Sequence, residues 1–238
     1  MPYPLKDQVA VITGGAGALG RHIVRVFLEA QSRVAVADAS AQALEEVASE
    51  HSYSGELSIH ETDLLGEKGV ENLVHDVVGA RGRIDVLVCA LGGFLCCPSV
   101  AETSEADWDK MMHMNVKSTF FAAKYAFPVM QKQKYGRIIT IGARPALTGA
   151  GGMAAYAASK AGTVNLTQSL AQEGAPFNIT ANCVLPSIID TPANRAAMPD
   201  AKFEDWVSPE KLARTILFFA SPDSTATSGA ALPVYGAS

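Results

Sequence analysis

Short apolar runs alternate with longer segments of helical period along most of the chain. Val9–Thr13 is a β-branched run that reads as a buried strand, and Arg21–Ala30 behind it spaces its apolar residues as a helix does. Arg33–Asp38 predicts a second strand and Ala41–Glu50 a second helix; Leu57–Thr62 and then Gly66–Gly79 repeat the pair. Ile84–Ala90 is the fourth strand, and one long helix is predicted from Trp108 to Ala126. Gly136–Gly142, Asn178–Pro186 and Gly229–Gly236 supply the remaining three strands, with a small-residue helix around Tyr156 between the first two of them. Strand alternating with helix implies right-handed crossovers, hence an α/β fold: one doubly wound domain over 1–238, its seven-stranded sheet mostly parallel and covered on both faces. Ligands of such a sheet collect at the carboxyl ends of the strands.

Two stretches break the pattern. Phe94–Pro98 reads as a loop at that carboxyl edge. Residues 187–207 contain Pro192 and Pro199 and have no clean period, so a mobile loop with helical pieces is predicted there, in the position of a substrate lid.

Composition changes this picture little. The 238 residues are 48% hydrophobic and 18% charged with net charge -5, an ordinary globular balance with no general attraction to nucleic acid or an anionic membrane. No apolar run approaches the roughly 20 residues that span a bilayer, and the polar opening Met1–Asp7 does not read as an export signal. Cys89, Cys96, Cys97 and Cys183 lack metal-ligand spacing and read as reduced thiols; the expectation is a cytoplasmic protein with no metal.

Candidate chemistry sits at the strand ends. Gly14, Gly17 and Gly20 lie between the first strand and the first helix, where a glycine turn lets the backbone approach a pyrophosphate and the helix N-terminus supplies amides and positive dipole. Asp38 ends the second strand about 20 residues further on, a position that suits adenosine ribose hydroxyls and repels a 2′-phosphate. Its plainer reading is a turn or cap residue before Ala39–Ala41, but the spacing favours the ribose. Tyr156 and Lys160 are four apart and share a helix face, so the ammonium is expected to lower the pKa of the phenol and fit it for proton transfer.

Taken together, Thr13-Gly14 through Gly20, Asp63-Leu64, Asn115-Val116, Tyr156-xxx-Lys160 and Pro186 to Thr191 resemble the short-chain dehydrogenase/reductase family over nearly the full length. The resemblance implies a Rossmann-type domain and hydride transfer on a nicotinamide. It implies Tyr156 as acid/base, Lys160 as ribose ligand and tuner, and Asn115 as holder of a helix bend and a relay water. Cofactor contacts are implied at Thr13, Gly14, Gly17, Ala18, Leu19, Gly20, Asp38, Asp63, Leu64, Ala90, Gly92, Pro186, Ile189 and Thr191, the last to the carboxamide. The expected cofactor is NAD, with NADH preferred over NADPH, and Arg21 is the residue most able to spoil that preference. Asn115 also admits a plainer reading as a polar helix residue satisfying local backbone.

Three positions depart from the family. Ala18 replaces a glycine of the usual turn, Cys89–Gly92 replaces Asn-Asn-Ala-Gly, and Ala143 stands thirteen residues before Tyr156 where a catalytic Ser is usual. Losing a donor of that kind can cost about 10²–10³ in rate. The departures resemble the dihydropteridine reductase branch of the family, above all at Leu185–Arg195, although Asn115 matches the wider family instead. That resemblance implies a small-molecule substrate, such as a quinonoid dihydropterin, with Phe94, Ala143, Arg144 and Arg195 around it. An ordinary ketone reductase, with Thr140, Thr148 or water replacing the Ser donor, and a nicotinamide-binding sensor that has lost turnover are the competing readings. Arg144 and Arg195 read alternatively as solvated charges. A homodimer or homotetramer is expected through the helices near Trp108 and Gly152, with Phe120–Ala123 beside Ala154, Ala157, Ala158 and Ala161.

Overall fold

All five residues of β1, Val9–Thr13, are buried, because the strand lies in the middle of its sheet with a helical layer on each side. The computed structural model describes residues 3–51, 56–97 and 99–237; Pro98, at the end of the predicted rim loop, and the first two residues of the chain lie outside them. The remaining strands are β2 (Arg33–Asp38), β3 (Leu57–Glu61), β4 (Val86–Cys89), β5 (Gly136–Ile141), β6 (Ile179–Pro186) and β7 (Ala231–Val234). They form one seven-stranded sheet in the order β3-β2-β1-β4-β5-β6-β7, every pair parallel. The predicted doubly wound fold is the observed one.

Alternation along β1 assigns the two layers. Ala10 and Ile12 face α1 (Ala18–Glu29), α2 (Ala41–Glu50) and α9 (Pro209–Ala220), through Ile23, Phe27, Leu44 and Ile216. Val9 and Val11 face α3 (Glu67–Arg81), α5 (Ser118–Gln133) and α7 (Ala154–Gly174), through Leu73, Phe121 and Leu170. Chain direction across the sheet reverses between β1 and β4, the place where a parallel α/β sheet opens a crevice at its carboxyl edge.

The single helix predicted from Trp108 is three segments in line. Helix α4 (Glu105–Met111) runs into six π-helical residues, Met112–Lys117, before α5 begins. A widened turn of this kind shifts the register by one residue and is found mostly at functional sites; here it carries Asn115. Residues 187–207 hold helix α8 (Pro192–Ala197), a 3₁₀ turn at Phe203–Asp205 and a parallel bridge between Ile189 and Val207. The segment is stapled as well as coiled: the Asn194 amide donates to the Ile189 carbonyl at 2.8 Å, and the Ala237 amide reaches the Asp205 carbonyl at 3.1 Å.

The helix faces expected to pack between copies need correction. Phe121, Ala122 and Ala123 are buried against the chain's own sheet, and of that group Phe120 alone points outward, 44% exposed. Ala157 is likewise buried within the chain.

Candidate active site

The glycine turn is built from backbone that admits no side chain. Gly14 has φ +69°, and a Cβ there would lie 2.6 Å from the Leu91 nitrogen; one on Gly20 would lie 2.3 Å from the Gly14 carbonyl oxygen. The turn therefore packs backbone against backbone, on itself and on Ala90 and Leu91 after β4. Gly17 is the N-cap of α1 and has no side chain to accept the first-turn amides, so the N-terminus at Ala18 and Leu19 offers its donors outward. Asp38, at the end of β2, accepts from the Ala16 amide at 3.3 Å and from the Ala39 amide at 2.8 Å. The cap of α2 is Ser40, which accepts from the Ala43 amide, so capping is not the role of Asp38. Glycines closed to any side chain, a free helix N-terminus and a carboxylate at the next strand end fit a dinucleotide.

Arg21 does not face Asp38 as a loose cation. Its Nε donates to the Ala16 carbonyl at 3.0 Å, and its terminal nitrogens pair with Glu46 at 2.6 Å and Glu50 at 2.7 Å.

The other strand ends bring in the remaining residues. Thr13 is buried at the end of β1; past β3, Asp63 is exposed while Leu64 is buried in the core. The Ala90 amide donates to the Thr13 carbonyl, and Gly92 follows at a point where a Cβ would lie 3.0 Å from Asn115 Oδ1 and 3.1 Å from Lys160 Nζ. Next along this loop, Phe94 is 60% exposed and its ring stands against that of Tyr156. Pro186 closes β6 and accepts the Arg144 amide, Ile189 sits in the bridge to Val207, and the Thr191 hydroxyl caps α8 by accepting from the Asn194 amide at 3.2 Å. The structure thus gathers the residues expected around a cofactor along one sheet edge.

Asn115 joins the rim loop to the Tyr156 helix. Its Oδ1 accepts from the Gly93 amide at 2.8 Å, and its Nδ2 donates to the Gly93 carbonyl at 3.1 Å and to Ser159 Oγ at 2.9 Å. Its main-chain carbonyl accepts the Thr119 hydroxyl at 2.9 Å and the Thr163 hydroxyl at 3.2 Å. Ser159 and Thr163 were not singled out from the sequence. The signal lay in the hydroxyls of Ser159, Thr163 and Thr167, a stripe at four-residue spacing that proves to be wholly buried.

The expected lowering of the Tyr156 pKa is not found. Burial pushes the Tyr156 phenol up to about 12, and burial pulls the Lys160 ammonium down to about 8. Lys160 Nζ donates to the Ile141 carbonyl at 2.8 Å and stands 6.0 Å from the centre of the Tyr156 ring. Loss of water alone sets the direction for the phenol and is the largest cause for the ammonium.

Of the substrate-side residues, Ala143 is buried and Thr140, its nearest candidate substitute, shares its hydroxyl with Thr167 at 2.7 Å inside the core. Thr148 is exposed and donates to the Gly149 carbonyl. Arg144 is exposed with its guanidinium over the Tyr235 ring at 5.1 Å. Arg195 is held away from a steering role: its nitrogens pair with both oxygens of Asp190 at 2.5 and 2.8 Å, and it covers the Phe203 ring at 4.7 Å. Among the described residues no cluster of three or more His, Cys, Asp or Glu is disposed to hold a metal ion, and no helix is long and apolar enough to cross a membrane.

A crevice that presents a dinucleotide turn on one wall and a Tyr–Lys helix on the other defines a nicotinamide-dependent oxidoreductase. Comparison with known proteins agrees: residues 8–202 match the short chain dehydrogenase family, and the chain belongs to it. It is 33% identical over 242 residues to (2S)-[(R)-hydroxy(phenyl)methyl]succinyl-CoA dehydrogenase subunit BbsD of Thauera aromatica, covering 98% of this chain and 96% of that one. It is 30% identical over 241 residues to the 3-oxoacyl-[acyl-carrier-protein] reductase FabG of Thermotoga maritima, covering 98% of each. The solved structure of ElxO with NADP bound superposes with a TM-score of 0.91 at 27% identity, over 96% of this chain and 97% of that one. The protein is an NAD(P)-dependent oxidoreductase acting on a small-molecule substrate.

Proposed function

We propose that the chain is an NADH-preferring reductase of a conjugated, easily reduced ring, with a quinonoid dihydropterin as the leading substrate. The observation that carries this reading is the apolar Ala143 with no hydroxyl in its place: Thr140 is spent on Thr167 and Thr148 lies exposed. An alkoxide forming from a ketone needs such a donor. A delocalised ring spreads its electrons away from one oxygen and needs less help. Phe94, with an exposed ring against Tyr156, gives that ring a flat apolar wall.

In this reading the bound nicotinamide supplies the hydride. Tyr156 supplies the proton, and a phenol whose pKa is raised by burial carries that proton throughout the neutral range. Lys160 holds the adjoining ribose, the Gly14–Gly20 turn the pyrophosphate and Asp38 the adenosine ribose. Asp63, Leu64, Ala90, Gly92, Pro186, Ile189 and Thr191 line the remainder. Arg21, engaged by Glu46 and Glu50, leaves the carboxylate of Asp38 to oppose a 2′-phosphate. Residues 187–207 form the lid.

Two copies are proposed to associate along the outer face of α4 and α5. Trp108 is 42% exposed there, and a groove of about 500 Å³ is lined by Asp109, Met112, His113, Lys117 and Phe120. Free thiols at all four cysteines suit the cytoplasm. A second substrate reading, an ordinary ketone or alcohol, is favoured by the 30% identity to a 3-oxoacyl reductase.

Steady-state NADH oxidation with quinonoid dihydropterin and with a ketone panel separates the two, repeated on Ala143→Ser. The pterin reading expects turnover with the pterin and little change on substitution. A large gain on ketones in Ala143→Ser, with no pterin activity in either protein, would refute it. Light scattering at a monomer mass at micromolar concentration would count against association.

A further inference from the structure

Asn115 is held through its amide, and one of the holders lies outside the set of residues the reaction uses directly. The amide oxygen and one N–H close a two-bond ring with the main chain of Gly93. The second N–H goes to Ser159 Oγ at 2.9 Å. Ser159 is fully buried, one residue before Lys160 and three after Tyr156, and its own proton goes to the Tyr156 carbonyl at 2.8 Å. Every donor of the Asn115 amide is thereby used, and the orientation of the amide follows from this network.

The consequence is geometric. The π-helical turn, the rim loop and the catalytic helix meet at this amide. Gly93 is flanked by Gly92, where a Cβ would meet both Asn115 and Lys160, and by Phe94, which touches Tyr156. An amide with an orphaned buried N–H would turn toward a new acceptor, the weakly accepting Met111 Sδ at 4.0 Å being the one already in reach, and would disturb the two bonds it makes to Gly93. We propose that Ser159 is a positioning residue for the reaction: its hydroxyl holds the Asn115 amide, and through it the rim loop, in register with Tyr156 and Lys160. The proposal rests on the roles given above to Asn115 and Tyr156. The bland alternative is a serine that satisfies its own helix and does no more.

The test is a double-mutant cycle on the intact protein, assayed by NADH oxidation with quinonoid dihydropterin or the best ketone of the panel, whichever turns over faster. Ser159→Ala is expected to lower kcat roughly ten- to a hundredfold, since small misplacements carry that cost, while the Kd for NADH changes less than about twofold. Ser159→Cys, similar in size but a poorer acceptor, should fall between. Ser159→Ala combined with Asn115→Ala should be no slower than Asn115→Ala alone, because the serine acts through the amide. Multiplying losses, or a Ser159→Ala enzyme with normal kcat below its unfolding temperature, would overturn the proposal, as would full activity in Asn115→Ala. Tyr156→Phe is the separate control: if it stays active, the proton donor is misassigned while the Ser159–Asn115 coupling stands or falls on its own numbers. Should neither substrate turn over, a crystal structure of Ser159→Ala decides, with an unmoved Asn115 amide counting against the role.

Discussion

The ring of Phe94 stands edge-on to the ring of Tyr156, with centroids 5.0 Å apart and planes at 79°. An exposed aromatic on a loop thus touches the side chain expected to move the proton, and anything lying over one ring is read by the other. Pairs of this kind contribute about 0.5–1.5 kcal/mol beyond their area. Phe94→Ala should therefore raise KM for an aromatic substrate about two- to tenfold with the Kd for NADH unchanged, as measured by steady-state kinetics and fluorescence titration.

Tyr156→Phe keeps the ring that meets Phe94 and removes only the hydroxyl. Turnover should fall about 10²–10⁴-fold at saturating cofactor, while cofactor affinity stays within about twofold of wild type. Lys160→Ala should weaken both. Near-normal kcat in Tyr156→Phe would assign proton transfer to another group.

Burial of Lys160 has a pH signature. Its pKa falls from 10.5 in the unfolded chain to about 8 in the folded one, so between those values the unfolded state binds the extra proton. Stability contributed by this group must then rise with pH over that window and be flat below it. Tyr156 acts in the opposite sense at higher pH, its burial penalty growing from 10.0 toward about 12. Urea unfolding of wild type and Lys160→Met should diverge most near pH 7 and converge as the pH passes about 10. A constant difference across that range would show that Lys160 is not desolvated.

For the cofactor, kcat/KM with NADH should exceed that with NADPH by at least about tenfold, if the Asp38 carboxylate opposes a 2′-phosphate as proposed. Asp38→Asn should narrow the ratio. A wild-type preference for NADPH would remove Asp38 from this role and would return attention to Arg21.

Much of this was legible in the chain. A strand buried on both faces has to be apolar throughout, and Val9–Thr13 and Val86–Cys89 are nearly so; the glycine turn and the Tyr156/Lys160 pair are set by spacing alone. The interruption at Met112–Lys117 was not legible, since a π-turn keeps helical composition and differs only in which carbonyl each amide meets. Solvent exposure was equally hidden. Four-residue spacing placed Lys160 on the face of Tyr156, but only the sheet packed over it, with Ile141 as its acceptor, decides that burial sets the direction of its pKa. Arg195 looked available for the same reason, until Asp190, five residues earlier, proved to lie within its reach.

The staples of segment 187–207 run mostly within it: Ile189 to Val207, Asn194 to Ile189, Arg195 to Asp190. A piece tied to itself in this way can be exchanged as a cassette. Its interior bonds travel with it, while the frame receives its two ends from β6 and into α9 and keeps the C-terminal bonds that Val234, Tyr235 and Ala237 make to Ser187 and Asp205. Changes of substrate within this scaffold then become available through one contiguous stretch of gene, leaving the machinery on α7 undisturbed.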